Sequence, residues 1–261
     1  MARLLLSPLY RAYERRLLIQ VQTGPLPRHV GLILDGNRRY GQRFNLRDPR
    51  EIYDAGAQKL DELLDWCVEL SIPAITLWVL STENLARAPA EVSGILAATE
   101  AKLLELAGDP RTHRQRVRVR AVGTLDLLPA STLQAVRAAE AATTGYDGIE
   151  LTIAAAYGGR QEITDAVQAF LRERQQEGKT LEQTIALVTP ETISRYLYTP
   201  HLPDPDLIIR TSGEIRLSGF LLWQSAYSEF YFTDVYWPAM RKIDFLRAVR
   251  AFQQRRRRFG R

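Results

Sequence analysis

Six short apolar segments alternate along this chain with helical patterns, and this alternation constrains the fold most. The strand-like segments cover residues 29–35, 74–80, 117–123, 149–157, 206–211 and 229–235. Helical spacing of apolar residues lies between most of them, as in 55–70, 131–142 and 159–175. Strands separated by helical segments are typical of a mainly parallel sheet with helices on its faces. We predict an α/β fold: one domain with an open, mainly parallel sheet of about six strands.

Composition places the chain among ordinary globular proteins. Its 261 residues, 46% of them hydrophobic, are enough for a sizeable core. The lone Cys67 excludes an internal disulfide framework, and the three histidines have no zinc-ligand spacing. The net charge of +5 is concentrated at the two ends, which gives no reason to expect nucleic-acid binding. No apolar run approaches the ~20 residues that span a bilayer, and no signal peptide is evident, so a cytoplasmic location is expected.

The N-terminal segment has its own pattern. Within residues 1–20, apolar side chains recur at helical spacing among several arginines, at Leu6, Leu9, Tyr10, Tyr13, Leu17 and Leu18. A basic amphipathic helix can lie on an anionic membrane surface, but it can equally pack on its own domain or on a partner subunit, and we favour packing. We therefore divide the chain into residues 1–26, a helix with a linker, and residues 27–261, the body.

The first strand ends in a polar cluster, "DGNRRYGQ", at residues 35–42. Asp35 to Asn37 form the predicted turn, and Arg38 and Arg39 open the next helix. Ligands bind at this edge of open parallel sheets, where the amides at helix N-termini face anions. The sequence alone would also suit an ordinary surface turn, but the two arginines favour a phosphate site.

A second cluster, "STENLARAP", follows the strand at 74–80. Ser81 and Thr82 can cap a helix, with Glu83 in its first turn. Asn84 and Arg87 can instead face a common cleft. The sequence leaves both interpretations open.

The third cluster, "RTSGEIRLSGF" at 210–220, is the most informative. Arg210, Arg216 and Ser218 surround a glycine turn, and guanidinium groups fit phosphate oxygens in a bidentate manner. Further along, Glu229 lies among aromatic residues, where a carboxylate needs an ion-pair partner or a metal. Two anion sites, a metal-binding acid and apolar strands suit a substrate with a polyanionic head and a hydrocarbon tail.

The ordered series of motifs resembles the cis-prenyltransferases, the family of undecaprenyl diphosphate synthases. The resemblance covers residues 27–261 and rests on "HVGLILDGNRRYG", "STENLARAP", "AAYGGRQEITDA", "PDLIIRTSGEIRLSGFLLWQSAYSEFYFTDVYWP" and the terminal "RFG". It implies an open α/β sheet with an apolar tunnel, a homodimer, and Mg²⁺-dependent condensation of isopentenyl diphosphate with an allylic diphosphate to give a Z-configured product.

The resemblance also implies roles for residues of this chain. Asp35 matches the catalytic aspartate that works with Mg²⁺, Asn84 matches a residue that assists proton removal, and Glu229 matches a metal ligand. The implied allylic diphosphate site is Gly36, Asn37, Arg38, Arg39 and Tyr40. Other implied substrate contacts are Ser81, Thr82, Glu83, Leu85 and Arg87. The implied isopentenyl diphosphate site is Arg210, Arg216, Leu217, Ser218, and Arg258 with Gly260 of a tail that reaches the partner subunit.

Some positions depart from the family pattern. Leu85 stands where many members have tryptophan, Tyr53 where a histidine is common, and Ile215 where a histidine is often found. The family pattern also has an arginine between the first motif and Tyr53. In this chain that arginine is Arg47 or Arg50, or it is absent. The residues of several motifs resemble those of a branch that includes short-chain synthases. The sequence determines neither the length of the product nor the preferred allylic substrate. Two rival functions remain at this point, a non-catalytic subunit of the same fold and a membrane-surface adaptor.

Overall fold

The computed structural model describes residues 2–255. All six predicted strands are present and form one sheet in which every neighbouring pair is parallel. The strand order is β3-β4-β2-β1-β5-β6. Their bounds are β1 His29–Ile33, β2 Ala74–Trp78, β3 Arg118–Val122, β4 Glu150–Ala154, β5 Leu207–Arg210 and β6 Glu229–Phe232. The predicted open parallel α/β sheet is confirmed.

Helices connect the strands, and short 3₁₀ turns lie among them, at Glu83–Ala86, Leu125–Leu127, Gln224–Tyr227 and Trp237–Ala239. The α-helices of the described chain are α1 Ala2–Gln22, α2 Asn37–Arg43, α3 Pro49–Glu69, α4 Pro89–Gly108, α5 Pro110–Arg114, α6 Ala130–Ala142, α7 Gly159–Gln176, α8 Leu181–Ile185, α9 Pro190–Arg195 and α10 Lys242–Gln254. Proline at the first helical position recurs in this set, because its missing N–H needs no partner there.

The strand register brings the polar clusters to one edge. Every residue of β1, β2 and β5 is buried, as expected for strands covered on both faces. Ile33, the last residue of β1, lies opposite Trp78 of β2 and Arg210 of β5. The chain leaves β1 toward β2 on one side and returns to β5 on the other. This reversal is the switch point where open α/β sheets bind ligands.

The N-terminal helix α1 packs on α10 of the same chain. Leu17 and Val21 are buried in the main core. The guanidinium carbon of Arg241 lies 5.2 Å from the ring centre of Tyr10, which fits a cation–π contact. The structure thus contains the packing that the sequence favoured, and membrane contact stays an untested prediction. No helix within residues 2–255 is long and apolar enough to cross a bilayer.

A buried carboxylate supports the sheet beside β4. Glu162, in the first turn of α7, accepts hydrogen bonds from the Tyr157 hydroxyl, the Tyr198 amide and the Gln224 side chain. Burial raises the pKa of Glu162 above its ordinary value, although these three donors oppose the shift. An acid whose pKa is raised by folding contributes stability below its unfolded pKa, and that contribution is lost as the pH rises through the folded pKa.

We therefore expect Glu162→Gln to flatten the pH dependence of stability. The free energy of unfolding of the variant, relative to that of the wild-type protein, should rise between pH 4 and pH 8, because a neutral amide has no buried charge to desolvate. Urea unfolding across this range measures both proteins, and exposed Glu182→Gln serves as the control. Parallel curves for wild type and Glu162→Gln would contradict the expectation.

Candidate active site

A cleft of about 890 Å³ opens at the carboxyl edge of β1, β2 and β5. It brings together most of the residues that the sequence singled out. The predicted site residues that line it are Asp35, Gly36, Asn37, Arg38, Arg39, Ser81, Glu83, Asn84, Arg87, Arg210, Arg216 and Ser218. Residues from clusters nearly 180 positions apart in sequence thus face one space.

The turn after β1 is built around Gly36. Its φ of +98° lies in the left-handed region, and a Cβ there would come within 2.8 Å of the Tyr236 ring and 2.9 Å of Ser212 Cβ. Glycine is therefore required both by conformation and by space. The Gly36 amide donates to Asp35 Oδ1 at 2.7 Å, which fixes the carboxylate against the turn. The following helix, α2, presents the Arg39 guanidinium to Ser212, with 2.7 Å to the Ser212 hydroxyl.

Asp35 and Arg210 form the ion pair at the centre of the cleft. Arg210 Nη2 donates to Asp35 Oδ2 at 2.9 Å, and only 5% of the Arg210 side chain is exposed. Burial works to raise the pKa of Asp35, but the hydrogen bond and charge of Arg210 outweigh it and hold that pKa below its ordinary value. Asp35 is therefore ionised at neutral pH. Arg210 also donates to the Arg216 carbonyl and the Ser218 hydroxyl, and so links β1 to the 210–220 loop.

Two further guanidinium groups, both more exposed than that of Arg210, flank Glu214. Arg39 lies 3.4 Å from one oxygen of this carboxylate, and Arg216 lies 2.5 Å from the other. Side chains of both arginines are about half exposed, 42% and 59% respectively. A diphosphate entering the cleft would compete with Glu214 for these groups, because phosphate oxygens match a guanidinium as a carboxylate does.

The loop that carries these groups has strained backbone. Ser212 and Ser218 have φ values of 79° and 53°, in the region that non-glycine residues rarely adopt. Each such residue costs about 1–3 kcal/mol and persists where the surrounding structure enforces it. The strain is concentrated in the residues whose side chains contact Arg39 and Arg210.

The cluster after β2 combines capping and site roles. The Ser81 amide donates to the Asn84 side chain at 3.3 Å, and the Asn84 amide donates to the Ser81 hydroxyl at 3.1 Å. This reciprocal pair orders the 3₁₀ turn Glu83–Ala86, so Ser81 acts as the capping interpretation predicted, while Thr82 at the N-cap makes no side-chain capping bond. Both residues also line the cleft. The two interpretations that the sequence left open are therefore compatible.

Glu91 is a residue of this region that the sequence analysis missed. Its Oε1 accepts hydrogen bonds from the Tyr53 hydroxyl at 2.9 Å and from Arg87 at 2.8 Å, and lies 3.6 Å from Arg38 Nε. Burial and the Glu91 charge raise the pKa of Tyr53, so its phenol stays protonated. The four-residue spacing of Arg87 and Glu91 was the available signal, although Arg87 lies just before α4 and not within it.

A second, apolar cavity continues from the cleft between α3 and α4. Leu34, Asn37, Tyr53, Val79 and Ile95 line both spaces, so the two are contiguous. The cavity volume is about 70 Å³, several times the 10–15 Å³ that one water needs. Its deeper walls are mostly aliphatic, with Leu60, Leu77, Leu103, Leu106 and Ile153. The apolar tunnel that the resemblance implied stays a prediction, and this cavity is consistent with it.

Several predicted site residues lie elsewhere. The Tyr40 ring packs against Phe44 at 4.5 Å and does not line the cleft. Thr82 and Leu85 line two neighbouring surface grooves, and Leu217 packs against a small core cluster around Phe220. Arg50 pairs with Asp54 on α3 and Arg47 is exposed, so neither lines the cleft. Arg258 and Gly260 lie outside the described residues.

Glu229 lies apart from the cleft. It begins β6 opposite Leu207, three positions before the Arg210–Phe232 pair at the other end of the strand. At about 3.3 Å per residue this places it roughly 10 Å from the carboxyl edge. Its carboxylate pairs with Arg255 at 2.9 Å. Within one chain, therefore, Glu229 and Asp35 lie at opposite ends of the sheet, and the role of Glu229 as a metal ligand stays a prediction.

The remaining donors suit a cation held jointly with substrate. No group of three or more His, Cys, Asp or Glu side chains within residues 2–255 could hold a metal alone. Asp35, 31% exposed at the cleft, offers one carboxylate, and Glu214 offers another across Arg39. Mg²⁺ typically takes one or two protein carboxylates and completes its shell with waters and substrate phosphates. The donor set therefore fits Mg²⁺ in the presence of a diphosphate.

A cationic, strand-end cleft joined to an apolar cavity defines a class of enzymes that act on a diphosphate head with a hydrocarbon tail. The comparisons agree. Residues 33–260 match the model of the undecaprenyl diphosphate synthase family of prenyltransferases. The chain is 55% identical over 250 residues to an isoprenyl transferase from Deinococcus radiodurans, covering 95% of this chain and 90% of that one. It is 52% identical over 257 residues to a (2Z,6E)-farnesyl diphosphate synthase from Thermobifida fusca, covering 98% and 99%.

A solved structure supports the same conclusion. Lavandulyl diphosphate synthase from Lavandula x intermedia, in complex with dimethylallyl diphosphate, superposes with a TM-score of 0.81 at 28% identity, covering 90% of this chain and 99% of that one. The chain belongs to the undecaprenyl diphosphate synthase family, the cis-prenyltransferases. It is a prenyl-transferring enzyme, and the condensation of isopentenyl diphosphate with an allylic diphosphate is the reaction of this family.

Proposed function

We propose that the two parts of the cleft hold the two substrates of this reaction. The allylic diphosphate lies at the Gly36–Arg39 turn, and isopentenyl diphosphate lies at Arg210, Arg216 and Ser218. The observation that carries the proposal is the continuity of the arginine-lined cleft with the apolar cavity at Asn37, Tyr53 and Val79. A diphosphate bound at the turn can place its hydrocarbon tail in that cavity.

The residues of this chain stabilise charge as it forms. When the C1–O bond of the allylic substrate breaks, its electron pair goes to the diphosphate, and the Arg39 guanidinium and the turn amides face that growing negative charge. Bound Mg²⁺, held by Asp35 and the diphosphate, would add positive charge there. The alkene of isopentenyl diphosphate, oriented through its own diphosphate, supplies the electrons of the new bond to C1.

Loss of a proton from the condensed product completes the step and sets the new cis double bond. Asn84 lies at the cleft with its side chain tied to the Ser81 amide, so it can orient the group that gives up the proton. Its role in proton removal is part of the proposal.

The proposal also includes a homodimer. It is supported by β6, an edge strand of the sheet whose Phe230 and Phe232 rings lie 6.5 Å apart and remain only half-buried. Unpaired edge strands with apolar side chains are suited to association. Arg258 and Gly260 of the partner tail would then add a cationic contact to isopentenyl diphosphate.

Peripheral membrane contact through α1 is a further proposal, supported by its exposed Leu9 and Ile19.

Purified protein with Mg²⁺, farnesyl diphosphate and labelled isopentenyl diphosphate tests the function. We expect a longer labelled allylic diphosphate to form, and EDTA to abolish its formation. No turnover by the protein alone, with activity restored by a second subunit, would support the non-catalytic alternative. No diphosphate binding by calorimetry, together with binding to anionic vesicles, would support the adaptor alternative.

A further inference from the structure

We propose that Glu214 is an internal competitor for the two diphosphate sites and promotes the release of inorganic pyrophosphate after each condensation. The inference rests on the proposed function, because it takes Arg39 and Arg216 as contacts of the two diphosphates. Its structural basis is one carboxylate that pairs with both guanidinium groups, at 3.4 Å from Arg39 and 2.5 Å from Arg216. Glu214 thus holds the same donors that a diphosphate needs.

The backbone that carries Glu214 is anchored, while its side chain is accessible. The Ser212 amide donates to the Val235 carbonyl and the Gly213 amide to the Thr233 carbonyl, both at 2.8 Å. These bonds tie the loop to the segment after β6. The Glu214 side chain is 31% exposed, so it can leave the arginines while the loop keeps its backbone bonds. This arrangement suits a group that is displaced by a ligand and then returns.

The two ion pairs of Glu214 are unequal. Glu214 accepts a hydrogen bond from Arg216 Nη1, whereas its distance of 3.4 Å from Arg39 Nη2 exceeds the ~2.7–2.9 Å of a charged hydrogen bond. Arg39 donates to Ser212 instead, to its hydroxyl at 2.7 Å and its carbonyl at 3.1 Å. A diphosphate can therefore take Arg39 from Glu214 easily. The carboxylate then stays on Arg216, next to the bound diphosphate, and repels it.

The charge balance of the cleft depends on this carboxylate. Three guanidinium groups and two carboxylates meet at its centre, namely Arg39, Arg210 and Arg216 with Asp35 and Glu214. Loss of the Glu214 charge would leave three cations against one anion and strengthen the binding of every diphosphate. Contacts that hold the ground state and the transition state equally do not raise kcat. A competing carboxylate weakens the bound ground states and the bound product.

Pyrophosphate release is the step where this competition matters most. After the allylic C1–O bond breaks, pyrophosphate remains at the Arg39 turn with several negative charges. It must leave before another allylic diphosphate can bind there. The Glu214 carboxylate already reaches both Arg39 and Arg216, so it can replace a pyrophosphate oxygen at Arg39 without a change of the fold. Pyrophosphate then leaves through partly broken contacts rather than by losing all of them at once.

Two other roles for Glu214 make opposite predictions. If Glu214 only orients the two arginines, its loss should weaken pyrophosphate binding. If it acts only as a ligand of Mg²⁺, its loss should weaken binding in the presence of the metal and leave metal-free binding unchanged. An internal competitor alone predicts tighter binding in the absence of metal. The metal-free affinity for pyrophosphate therefore distinguishes the three roles.

The experiment titrates inorganic pyrophosphate into the protein by calorimetry, in metal-free buffer with 0.15 M salt, where screening over about 8 Å suppresses distant charges. We expect Glu214→Gln to bind pyrophosphate about threefold to fivefold more tightly than the wild type, the upper range for a partly exposed ion pair. Glu83→Gln is the matched control and should change the affinity much less. Glu83 lines the same cleft, but its hydrogen bonds lie within its own turn.

A second readout is product inhibition. With Mg²⁺ and both substrates present, the inhibition constant of pyrophosphate against farnesyl diphosphate should fall in Glu214→Gln by a similar factor. Glu214→Ala also removes the side-chain oxygens that accept from Arg216, so it should tighten metal-free binding at least as much. This second variant takes the place of Glu214→Gln if the latter does not fold. Circular dichroism and thermal unfolding check the fold of each variant.

The outcomes separate this inference from the proposed function. If wild-type protein with Mg²⁺ binds neither pyrophosphate nor farnesyl diphosphate, the proposed function fails. If it binds them, but folded Glu214→Gln binds metal-free pyrophosphate no more tightly than the wild type, the competitor role is refuted. Equal tightening in Glu83→Gln, or an unchanged inhibition constant, refutes it as well. Should metal-free binding by the wild type be too weak to measure, measurable binding by Glu214→Gln supports the role, and its absence contradicts it.

Discussion

Asp35→Asn is expected to lower kcat by at least about 10²–10³-fold, because it removes the carboxylate that the proposed function assigns to work with Mg²⁺ and the diphosphate. Asparagine keeps an oxygen that can accept the hydrogen bond from Arg210, now 2.9 Å from Asp35 Oδ2. Steady-state kinetics with both substrates varied measures the loss. Wild-type turnover in a folded Asp35→Asn protein would remove Asp35 from the mechanism.

Asparagine is a better test than alanine because Arg210 is buried. Asp35→Ala leaves the Arg210 guanidinium with an unsatisfied donor, which costs about 1–3 kcal/mol of stability in typical proteins. Because of this ion pair, Asp35→Ala would combine a loss of activity with a loss of stability. Since the pKa of Asp35 is lowered on folding, the pair contributes stability above the unfolded pKa and loses it as the pH falls through the folded pKa. The stability difference between wild type and Asp35→Asn should therefore shrink below about pH 4.

The sheet was predictable because its signal is local. Each strand of this fold is a short apolar run bounded by turn residues, and the runs at 29–35, 74–80 and 206–211 coincide with the fully buried β1, β2 and β5. Parallel connectivity then brings their carboxyl ends to one edge without further information. The sequence predicted two anion sites, one at the Asp35 cluster and one at the Arg210 cluster, and the structure brings Asp35 and Arg210 into hydrogen-bond contact.

What the sequence missed depends on which end or face of an element a residue occupies. Glu229 belongs to a correctly predicted strand, but it lies at the amino end, away from Asp35. Tyr40 follows Arg39 directly, yet the helix turns its ring toward Phe44. Glu91 is a charged residue of α4 that contacts the cleft residue Tyr53 on α3. Contacts between two helices distant in sequence leave no pattern in either one.

Arg39 and Arg216, the exposed arginines on the two sides of Glu214, are expected to affect different substrates. Arg216→Ala should raise the KM for isopentenyl diphosphate about tenfold to hundredfold, since a charged hydrogen bond contributes about 1.5–3 kcal/mol. Arg39→Ala should raise the KM for the allylic diphosphate by a similar factor. Each should change the KM for the other substrate much less. Steady-state kinetics with one substrate saturating and the other varied separates the two effects.

The geometry around Glu214 makes this comparison sharp, because Arg39 and Arg216 approach its carboxylate from two sides without contacting the same oxygen. Arg210→Ala should differ from both. Arg210 holds Asp35, the Arg216 carbonyl and Ser218 together, so its loss should impair both substrates and lower the melting temperature. Exposed Arg137→Ala on α6 controls for the loss of surface charge. If Arg39→Ala and Arg216→Ala each raise both KM values equally, the assignment of Arg39 to one diphosphate site and Arg216 to the other is wrong.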